Sequence, residues 1–316
     1  MSRGDRGKLT DELYTTSRTF ARTSITAYED DQDSVFLLHA ATALEQLAKA
    51  FLASQHPSLL IDKDFDALLH VVGLPQAAKR PPSRMRTVGM ETALQRCSLF
   101  APALMRMDRE LSTLREVRNG LVHLGRSAES SSEVLLPYLQ ATDILLAELA
   151  QGNKADYWGD SHPFVTATLS EAVESNREQV ERLLSDSRAA FTRRFKGSDP
   201  SWKEEVVTIT VSGYDLDRLE RQLYECPACG SDALAEGHIE PDYEFDEEVD
   251  DGQFVVHADL KALFFYPQRL QCRVCGLHLD GPQQIDGAEV PSNWELPDPN
   301  LDQLNAWEAR WADVDY

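Results

Sequence analysis

The sequence has few basic residues, few cysteines and no long apolar run. It carries 31 Lys and Arg against 53 Asp and Glu, a formal net charge of −22. Taken over the whole chain, this charge argues against nonspecific binding to nucleic acid or anionic membranes, because phosphate contacts need clustered Lys and Arg. No stretch of about 18 apolar residues occurs, so no transmembrane helix is expected. Residues 1–10 are polar, unlike the apolar core of a signal peptide. We therefore expect a soluble, cytoplasmic protein with no membrane contact.

The five cysteines are too few and too unevenly placed for a disulfide framework in a chain of 316 residues. Four of them form two Cys-x-x-Cys pairs, a pattern that in an intracellular protein indicates metal binding before disulfide formation. A hydrophobic content of 42% excludes wholesale disorder. The length suggests about two domains.

The acidic charge is confined to the C-terminal third of the chain. Residues 1–200 carry 24 basic and 27 acidic side chains, whereas residues 201–316 carry 7 basic and 26 acidic ones. Residues 79–126 carry 10 basic against 4 acidic side chains. A basic segment therefore lies within a strongly acidic protein, and the net charge does not exclude RNA as a ligand of the N-terminal part.

Apolar periodicity predicts a helical N-terminal half. The apolar positions of residues 34–54 recur at helical spacing. Further helices are predicted over 9–29, 64–72, 86–105, 108–124, 131–151 and 166–196. The β-branched run Val206–Val211 predicts a strand, as do Phe254–Val256 and Leu263–Tyr266, with an acidic loop or hairpin at Glu236–Asp251 between them.

These patterns predict an α+β multidomain protein, in which an all-α bundle is followed by a small β-rich domain. The expected domains are a bundle at 1–152, a helical extension or linker at 153–200, an acidic zinc-ribbon-like β domain at 201–292 and an acidic Trp-containing tail at 293–316. Within the tail, the spacing of Leu301, Leu304, Trp307 and Trp311 allows a short amphipathic helix.

The strongest chemical signal is a pair of cysteine knuckles, Cys226-Pro-Ala-Cys229-Gly and Cys272-Arg-Val-Cys275-Gly. Two thiolates three positions apart on a tight turn can face one Zn²⁺, and two such turns complete a tetrahedral Cys₄ set. The pattern resembles a zinc ribbon, in which the long segment 230–271 between the knuckles would form an elaborated hairpin or an insertion. A redox Cys-x-x-Cys pair is the competing interpretation, but it needs only one pair and a thioredoxin-like βαβ context. We expect structural zinc, because a closed Cys₄ site leaves no open coordination position.

The second signal is a helix with one apolar and one polar face. Leu114, Val117, Leu121 and Leu124 fall on one side at 100° per residue, and Arg115, Asn119 and His123 form a stripe on the opposite side. Arg118 lies between the two faces.

The sequence Arg118-Asn119-x-x-x-His123, preceded by the helix around Ala43–Ala50, resembles the HEPN superfamily over roughly residues 10–150. The family signature is an Arg, four to six residues and a His, often with an Asn directly after the Arg. The resemblance implies a helical bundle that dimerises, and in active members an endoribonuclease that cuts RNA without metal.

The resemblance also implies roles for individual residues. His123 would act as general base or acid, Arg118 would stabilise charge on the phosphoryl group, and Asn119 would position the phosphate or the imidazole. The expected product is a 2′,3′-cyclic phosphate. Arg115 and Arg126 are candidates for guiding the RNA backbone. Glu45 is a candidate for pairing with Arg118, and a surface Glu45–Lys49 pair is the alternative.

Two functions remain open at this point. The first is a HEPN-type endoribonuclease, a toxin or antiviral-defence or stress effector, with a zinc-ribbon module for regulation or recognition. In it the acidic half would contact a protein partner or activator, or dock on the basic segment. The second is a noncatalytic dimeric HEPN-like interaction protein with a structural zinc domain.

Overall fold

The computed structural model describes residues 3–81, 84–124, 130–149, 152–250 and 253–296. Its internal contacts divide the chain into two units, Met1–Ala172 and Val173–Tyr316, and the division falls within one long helix. The predicted tail helix and Arg126 lie outside the described residues.

The first unit is helical in its described residues. Its α-helices are α1 (Arg3–Glu29), α2 (Asp33–Gln55), α3 (Phe65–Val71), α4 (Met90–Ser98), α5 (Asp108–Leu124), α6 (Ser131–Glu148), α7 (Lys154–Trp158) and the first part of α8 (His162–Arg194). Short 3₁₀ turns occur at Pro57–Leu60, Pro75–Ala77, Pro102–Met107 and Gly159–Ser161. The predicted helical N-terminal region is therefore confirmed, with one local difference. A single helix was expected over 86–105, but α4 is followed by a separate 3₁₀ turn that begins at Pro102, where a proline cannot continue the hydrogen-bond ladder.

Helix α2 lies at the centre of the first unit and packs against α1, α4, α5 and α6. Its apolar residues are almost all buried, and Phe36, Leu44 and Leu47 are fully excluded from solvent. Among the described residues, α2 is also the one helix long and apolar enough to cross a membrane by length and composition. In this fold 72% of that apolar window is buried inside the protein.

An aromatic cluster closes one side of this core. Trp158 packs edge-to-face against Tyr138 and Tyr157, with ring centroids 6.0 and 5.0 Å away. The Tyr157 hydroxyl lies 2.6 Å from the hydroxyl of Ser17 on α1. The side chain of Asn153 accepts a hydrogen bond from the Asp156 N–H and so begins α7, the helix that carries both Tyr157 and Trp158.

The second unit combines helices with a small antiparallel sheet. It contains the remainder of α8, α9 (Pro200–Ser212), β1 (Arg221–Glu225), β2 (Asp232–Asp250), β3 (Gln253–Gln271), β4 (His278–Asp280), α10 (Pro282–Gly287) and β5 (Trp294–Glu295). The strand order is β1-β2-β3-β4, with β5 paired to β3. The mixed α and β composition is therefore confirmed. The acidic segment predicted as a loop or hairpin belongs to the long β2–β3 hairpin, and β3 contains both segments predicted as strands there.

The strand predicted at Val206–Val211 is wrong, because these residues lie within α9. Asp199 begins the helix by accepting a hydrogen bond from the Ser201 N–H, and Pro200 occupies the first turn, where a missing N–H costs nothing. Val207 and Val211, one helical turn apart, pack against the core of the second unit. Capping and packing therefore override the β-branched preference, and the part predicted as a zinc-ribbon-like β domain from residue 201 begins with a helix.

The core of the second unit forms between its sheet and helices. Phe265 on β3 is fully buried and contacts the Trp294 ring on β5 at a centroid distance of 4.7 Å. Trp294 also stacks on Tyr224 of β1, at 5.2 Å. On the helical side, Val180 of α8 is fully buried in the same cluster. This core includes three of the four knuckle cysteines, so the cysteine site and the core are one structure.

Candidate metal centre and helical motif

The first cysteine knuckle is the turn between β1 and β2. The N–H of Cys226 donates to the carbonyl of Ser231 (2.9 Å), and the N–H of Gly230 donates back to the carbonyl of Cys226 (2.9 Å). Gly230 has a φ of +71°, a left-handed conformation that a side chain disfavours. The glycine therefore lets the chain curl so that Cys226 and Cys229 share one side of the turn.

The second knuckle, between β3 and β4, repeats this geometry. The N–H of Cys272 donates to the carbonyl of Leu277 (2.9 Å), and the N–H of Gly276 donates to the carbonyl of Cys272 (2.8 Å). Gly276 has a φ of +83°. The two knuckles thus have the same hydrogen-bond pattern, and they lie at the same end of the antiparallel β2–β3 pair, where Leu234 is opposite Gln271.

The knuckles bring four sulfur atoms into one cluster. The Sγ atoms of Cys226, Cys229, Cys272 and Cys275 all lie within 4.8 Å of one another. The Cys226–Cys275 and Cys229–Cys272 sulfur pairs are each 3.6 Å apart. Disulfide bonding needs about 2.05 Å, whereas four sulfurs about 2.3 Å from a central zinc ion are about 3.8 Å apart in a regular tetrahedron. The geometry and the thiol donor set therefore fit a tetrahedral metal ion such as zinc.

The surroundings of the sulfurs favour thiolate at Cys272. Its pKa is lowered chiefly by hydrogen bonds from the thiols of Cys226 and Cys275, and further by the backbone N–H groups of Val274 and Cys275. The pKa of Cys226 is raised, because its proton is held in the hydrogen bond to Cys272. Four adjacent thiols oppose one another's ionisation, so full deprotonation requires a cation among them.

Two arginines of α8 hold the backbones of the knuckles. Arg188 donates to the carbonyl of Pro227 in the first knuckle (3.2 Å), and Arg194 donates to the carbonyl of Val274 in the second (3.0 Å). Zinc with four thiolates would carry a net charge of −2, and partner groups around such a site fix its ligands. The two guanidinium groups therefore place positive charge near the sulfur cluster and hold the knuckle backbones by hydrogen bonds.

Tyr214, just after α9, links this helix to the second knuckle. Its hydroxyl accepts a hydrogen bond from the N–H of Arg273 (2.8 Å) and donates to the carbonyl of Gln271 (3.2 Å). The guanidinium of Arg273 covers the Tyr214 ring at 4.9 Å and donates to the carbonyl of Gly213. Burial raises the pKa of Tyr214, so its hydroxyl keeps the proton that this bridge uses.

The sequence did not indicate the support by Arg188, Arg194 and Tyr214. Each contact joins residues 39 to 80 positions apart in the chain. The sequence signal for these arginines is their position on one predicted helix. That signal is not specific, because other arginines of α8 pair with glutamates of the same helix in the described structure.

The fifth cysteine, Cys97, takes no part in the cluster. Its side chain is fully buried in the core of the first unit, and its thiol donates to the carbonyl of Ala48 at 3.4 Å. Burial raises its pKa well above the ordinary value. Cys97 is therefore an unreactive core residue, as its apolar context indicated.

The Arg-Asn-x-x-x-His motif lies on α5, whose backbone is helical from Asp108 to Leu124. Leu114 and Val117 of this helix are each 1% exposed and belong to the core of the first unit. The helix packs against α2 and α6. The side chains of Arg118, Asn119 and His123 lie outside the described parts of the structure, so their roles stay predictions.

Arg115, one turn before the motif, is held within the first unit. Its guanidinium donates to Glu91 on α4 at 2.8 Å and to the Ser112 hydroxyl at 3.0 Å. Other arginines of the basic segment are similarly bound, Arg80 to Asp64 and Asp66 and Arg96 to two backbone carbonyls. Part of the positive charge of residues 79–126 therefore stabilises the bundle itself.

Glu45 lies on α2 in the interior of the first unit. Its carboxylate is 2.7 Å from the ammonium group of Lys49, and the two side chains are 11% and 8% exposed. The Glu45–Lys49 pair, expected as one of two alternatives for Glu45, is thus present, and it is buried. The pairing of Glu45 with Arg118 involves a side chain outside the described parts.

Comparison with known proteins identifies no relative: no protein-family model, no curated protein and no solved structure matches the chain.

Proposed function

We propose that this protein is a metal-independent endoribonuclease of the HEPN type, acting as a toxin or as an antiviral-defence or stress effector. The observation that carries the proposal is the sequence Arg118-Asn119-x-x-x-His123 on one helix. Support comes from α5, which is continuous across these positions and packs Leu111, Leu114 and Val117 into a helical core. Asn119 and His123 are four positions apart and share one face of the helix. Arg118 is about 140° from His123 on a straight helix, so it would reach the same phosphodiester through its long side chain or from the neighbouring subunit.

The proposed chemistry uses each residue of the motif once. The imidazole of His123 accepts the proton of the ribose 2′-OH or delivers one to the leaving 5′ oxygen. Arg118 stabilises the charge that builds on the phosphoryl oxygens, and Asn119 positions the phosphate. The 2′ oxygen attacks phosphorus while the 5′ oxygen leaves. The products are a 2′,3′-cyclic phosphate and a 5′-hydroxyl end.

We further propose that the Cys₄ site is a structural zinc site of zinc-ribbon type. All four positions of a tetrahedron are filled by cysteine, so water and substrate have no place to bind. When bound, the ion would fix the two knuckles and the core that they share. The acidic charge of residues 201–316 suits contact with a protein partner or activator better than with RNA.

Incubation of the full-length protein with total RNA in the presence of EDTA tests the nuclease proposal. We expect fragments with cyclic phosphate ends, and a loss of about 10²-fold or more in cleavage for His123→Ala, the usual scale for removing a general acid or base. His278→Ala is the matched control, because His278 is exposed on β4 in the other unit. Arg182→Ala is the matched control for a second variant, Arg118→Ala, because among the described residues Arg182 contacts Glu178 of its own helix. Equal cleavage by wild type and His123→Ala would refute the assignment.

The second candidate is a noncatalytic, dimeric HEPN-like interaction protein. The charge of residues 201–316 and their long β2–β3 hairpin favour it, since both suit contacts with another protein. Under this alternative the wild-type protein leaves RNA intact in the same assay and forms a stable dimer through the helical unit. The nuclease proposal also expects that dimer, so cleavage is the measurement that separates the two.

A further inference from the structure

A polar cavity lies in the second unit, away from the cysteine knuckles. It has a volume of about 310 Å³, and its lining includes Arg218, Arg221 and Arg269 together with Glu236 and Gly237. These residues come from the segment before β1, from β1 itself and from the adjoining parts of β2 and β3. The lining consists of charged and amide side chains and one glycine, so it offers no apolar surface to a base or an acyl chain.

The concentration of positive charge here contrasts with the rest of the segment. Residues 201–316 contain 7 Lys and Arg against 26 Asp and Glu. Three of those seven basic side chains line this one cavity, where they outnumber its two glutamates. Guanidinium groups that line one cavity repel one another to the extent that carboxylates or other anions do not neutralise them.

Carboxylates satisfy only part of this charge. Arg221 is paired with both Asp215 and Glu236, and Glu236 also approaches Arg269 at 3.6 Å. Arg269 is more than half exposed. Arg218 makes no hydrogen bond or ion pair with its side chain in the part of the chain that the structure describes. With five N–H donors on each guanidinium, the cavity keeps unused donors, chiefly those of Arg218.

A β-bulge shapes one wall of the cavity. The β2–β3 register shifts between Glu236 and Gly237. The Gly237 N–H donates to the carbonyl of Glu220 (3.0 Å), and a Cβ at Gly237 would lie 2.0 Å from the Tyr266 carbonyl oxygen. Only glycine fits there. The extra residue at the shift is Gln268, so the bulge bends β3 beside the cavity. Bulges of this kind commonly redirect side chains next to functional sites.

We propose that this cavity binds a small phosphate-type oxyanion, with Arg218 as its principal ligand and Arg269 as a second. Guanidinium groups bind phosphate oxygens through paired, charge-assisted hydrogen bonds. The volume is at the lower end of ordinary ligand cavities, which suits a free phosphate or pyrophosphate. The acidic charge around the cavity disfavours a nucleic-acid strand as the source of the phosphate. The proposal does not depend on the nuclease assignment.

Calorimetric titration of the full-length protein with pyrophosphate tests this site, with sodium chloride of equal ionic strength as the background. We expect saturable binding by the wild type and a loss of affinity of about tenfold or more in Arg218→Gln. Arg269→Gln should also weaken binding. Arg182→Gln is the matched control, because it removes a guanidinium from the surface of α8 in the same unit; its affinity should stay within about twofold of wild type.

A second titration, with a 5′-phosphorylated oligonucleotide, distinguishes the sources of phosphate. We expect weaker binding than for pyrophosphate, and tighter binding would overturn the assignment to a small free anion. Absence of pyrophosphate binding by the wild type, or equal affinities of wild type and Arg218→Gln, would overturn the site itself. Circular dichroism of each variant, compared with the wild type, establishes that Arg218→Gln keeps its fold.

Discussion

Replacing Lys49 by methionine should destabilise the helical unit far more than breaking an ordinary helix ion pair. Lys49 and Glu45 are four positions apart on α2, 2.7 Å from each other, with side chains 8% and 11% exposed. Methionine keeps most of the length of the lysine side chain but removes its charge. The carboxylate of Glu45 then stays in the interior and loses its contact with the ammonium group of Lys49.

The magnitude follows from burial. Removing one partner of a buried ion pair costs about 3–5 kcal/mol, whereas an exposed pair at the same helical spacing contributes about 0.3–0.5 kcal/mol. The exposed pair Arg177–Glu181 on α8, with side chains 67% and 64% exposed, is the matched comparison. With an m-value of about 2 kcal/mol/M in urea, Lys49→Met should lower the unfolding midpoint of its unit by about 1.5–2.5 M.

Urea unfolding followed by far-ultraviolet circular dichroism measures both variants. Arg177→Met should shift its midpoint by less than about 0.3 M on the same m-value. The double variant Glu45→Leu, Lys49→Met should recover most of the stability lost in Lys49→Met, because the carboxylate is then removed together with the ammonium group. A loss below about 1 kcal/mol in Lys49→Met, or no recovery in the double variant, would refute the reasoning.

Three further perturbations test other parts of the structure. Cys272→Ser should abolish binding of one metal ion per chain, which native mass spectrometry measures. It should also destabilise the second unit and leave the unfolding of the first unchanged, since structural zinc contributes about 10–16 kcal/mol in small zinc domains. Retention of the ion would contradict the Cys₄ site. Gly237→Ala should lower the free energy of unfolding by about 1–3 kcal/mol or more, because its Cβ would meet the Tyr266 carbonyl at 2.0 Å. Gly7→Ala is the control and should be neutral or stabilising, because nothing lies within 4 Å of the added Cβ. Equal effects of the two substitutions would disprove the close approach. Burial raises the pKa of Cys97, so its contribution to stability is fully present below the unfolded pKa of about 8.5 and declines as pH rises above it. The buried, protonated thiol should also resist alkylation in the folded protein near pH 8. Rapid labelling of Cys97 there would contradict its burial.

The helical half was predictable because its signals are local and agree with one another. The apolar spacing of residues 34–54 and 108–124 predicts helices that the structure contains as α2 and α5. The knuckles were predictable for the same reason, since each is a turn of five residues with a glycine at a fixed place.

The strand predicted at Val206–Val211 was wrong because its two determinants lie outside the run. The cap at Asp199 precedes it, and the core that receives Val207 and Val211 is built from distant strands and α8. The support of the knuckles by Arg188 and Arg194 likewise depends on contacts between distant segments. Sequence periodicity carries no information about such contacts, because their free energy arises only after the chain has folded.

A single modified RNA tests directly whether His123 and Arg118 promote attack by a ribose 2′-OH. Once the cut in an unmodified RNA is mapped, the same RNA is synthesised with one 2′-deoxynucleotide directly 5′ of that cut and incubated with the full-length protein and EDTA. We expect cleavage at this position to disappear while other cuts continue, because the 2′-OH that attacks phosphorus is missing there. Cleavage that persists at the deoxynucleotide, or unmodified RNA left intact by the wild-type protein, would contradict it.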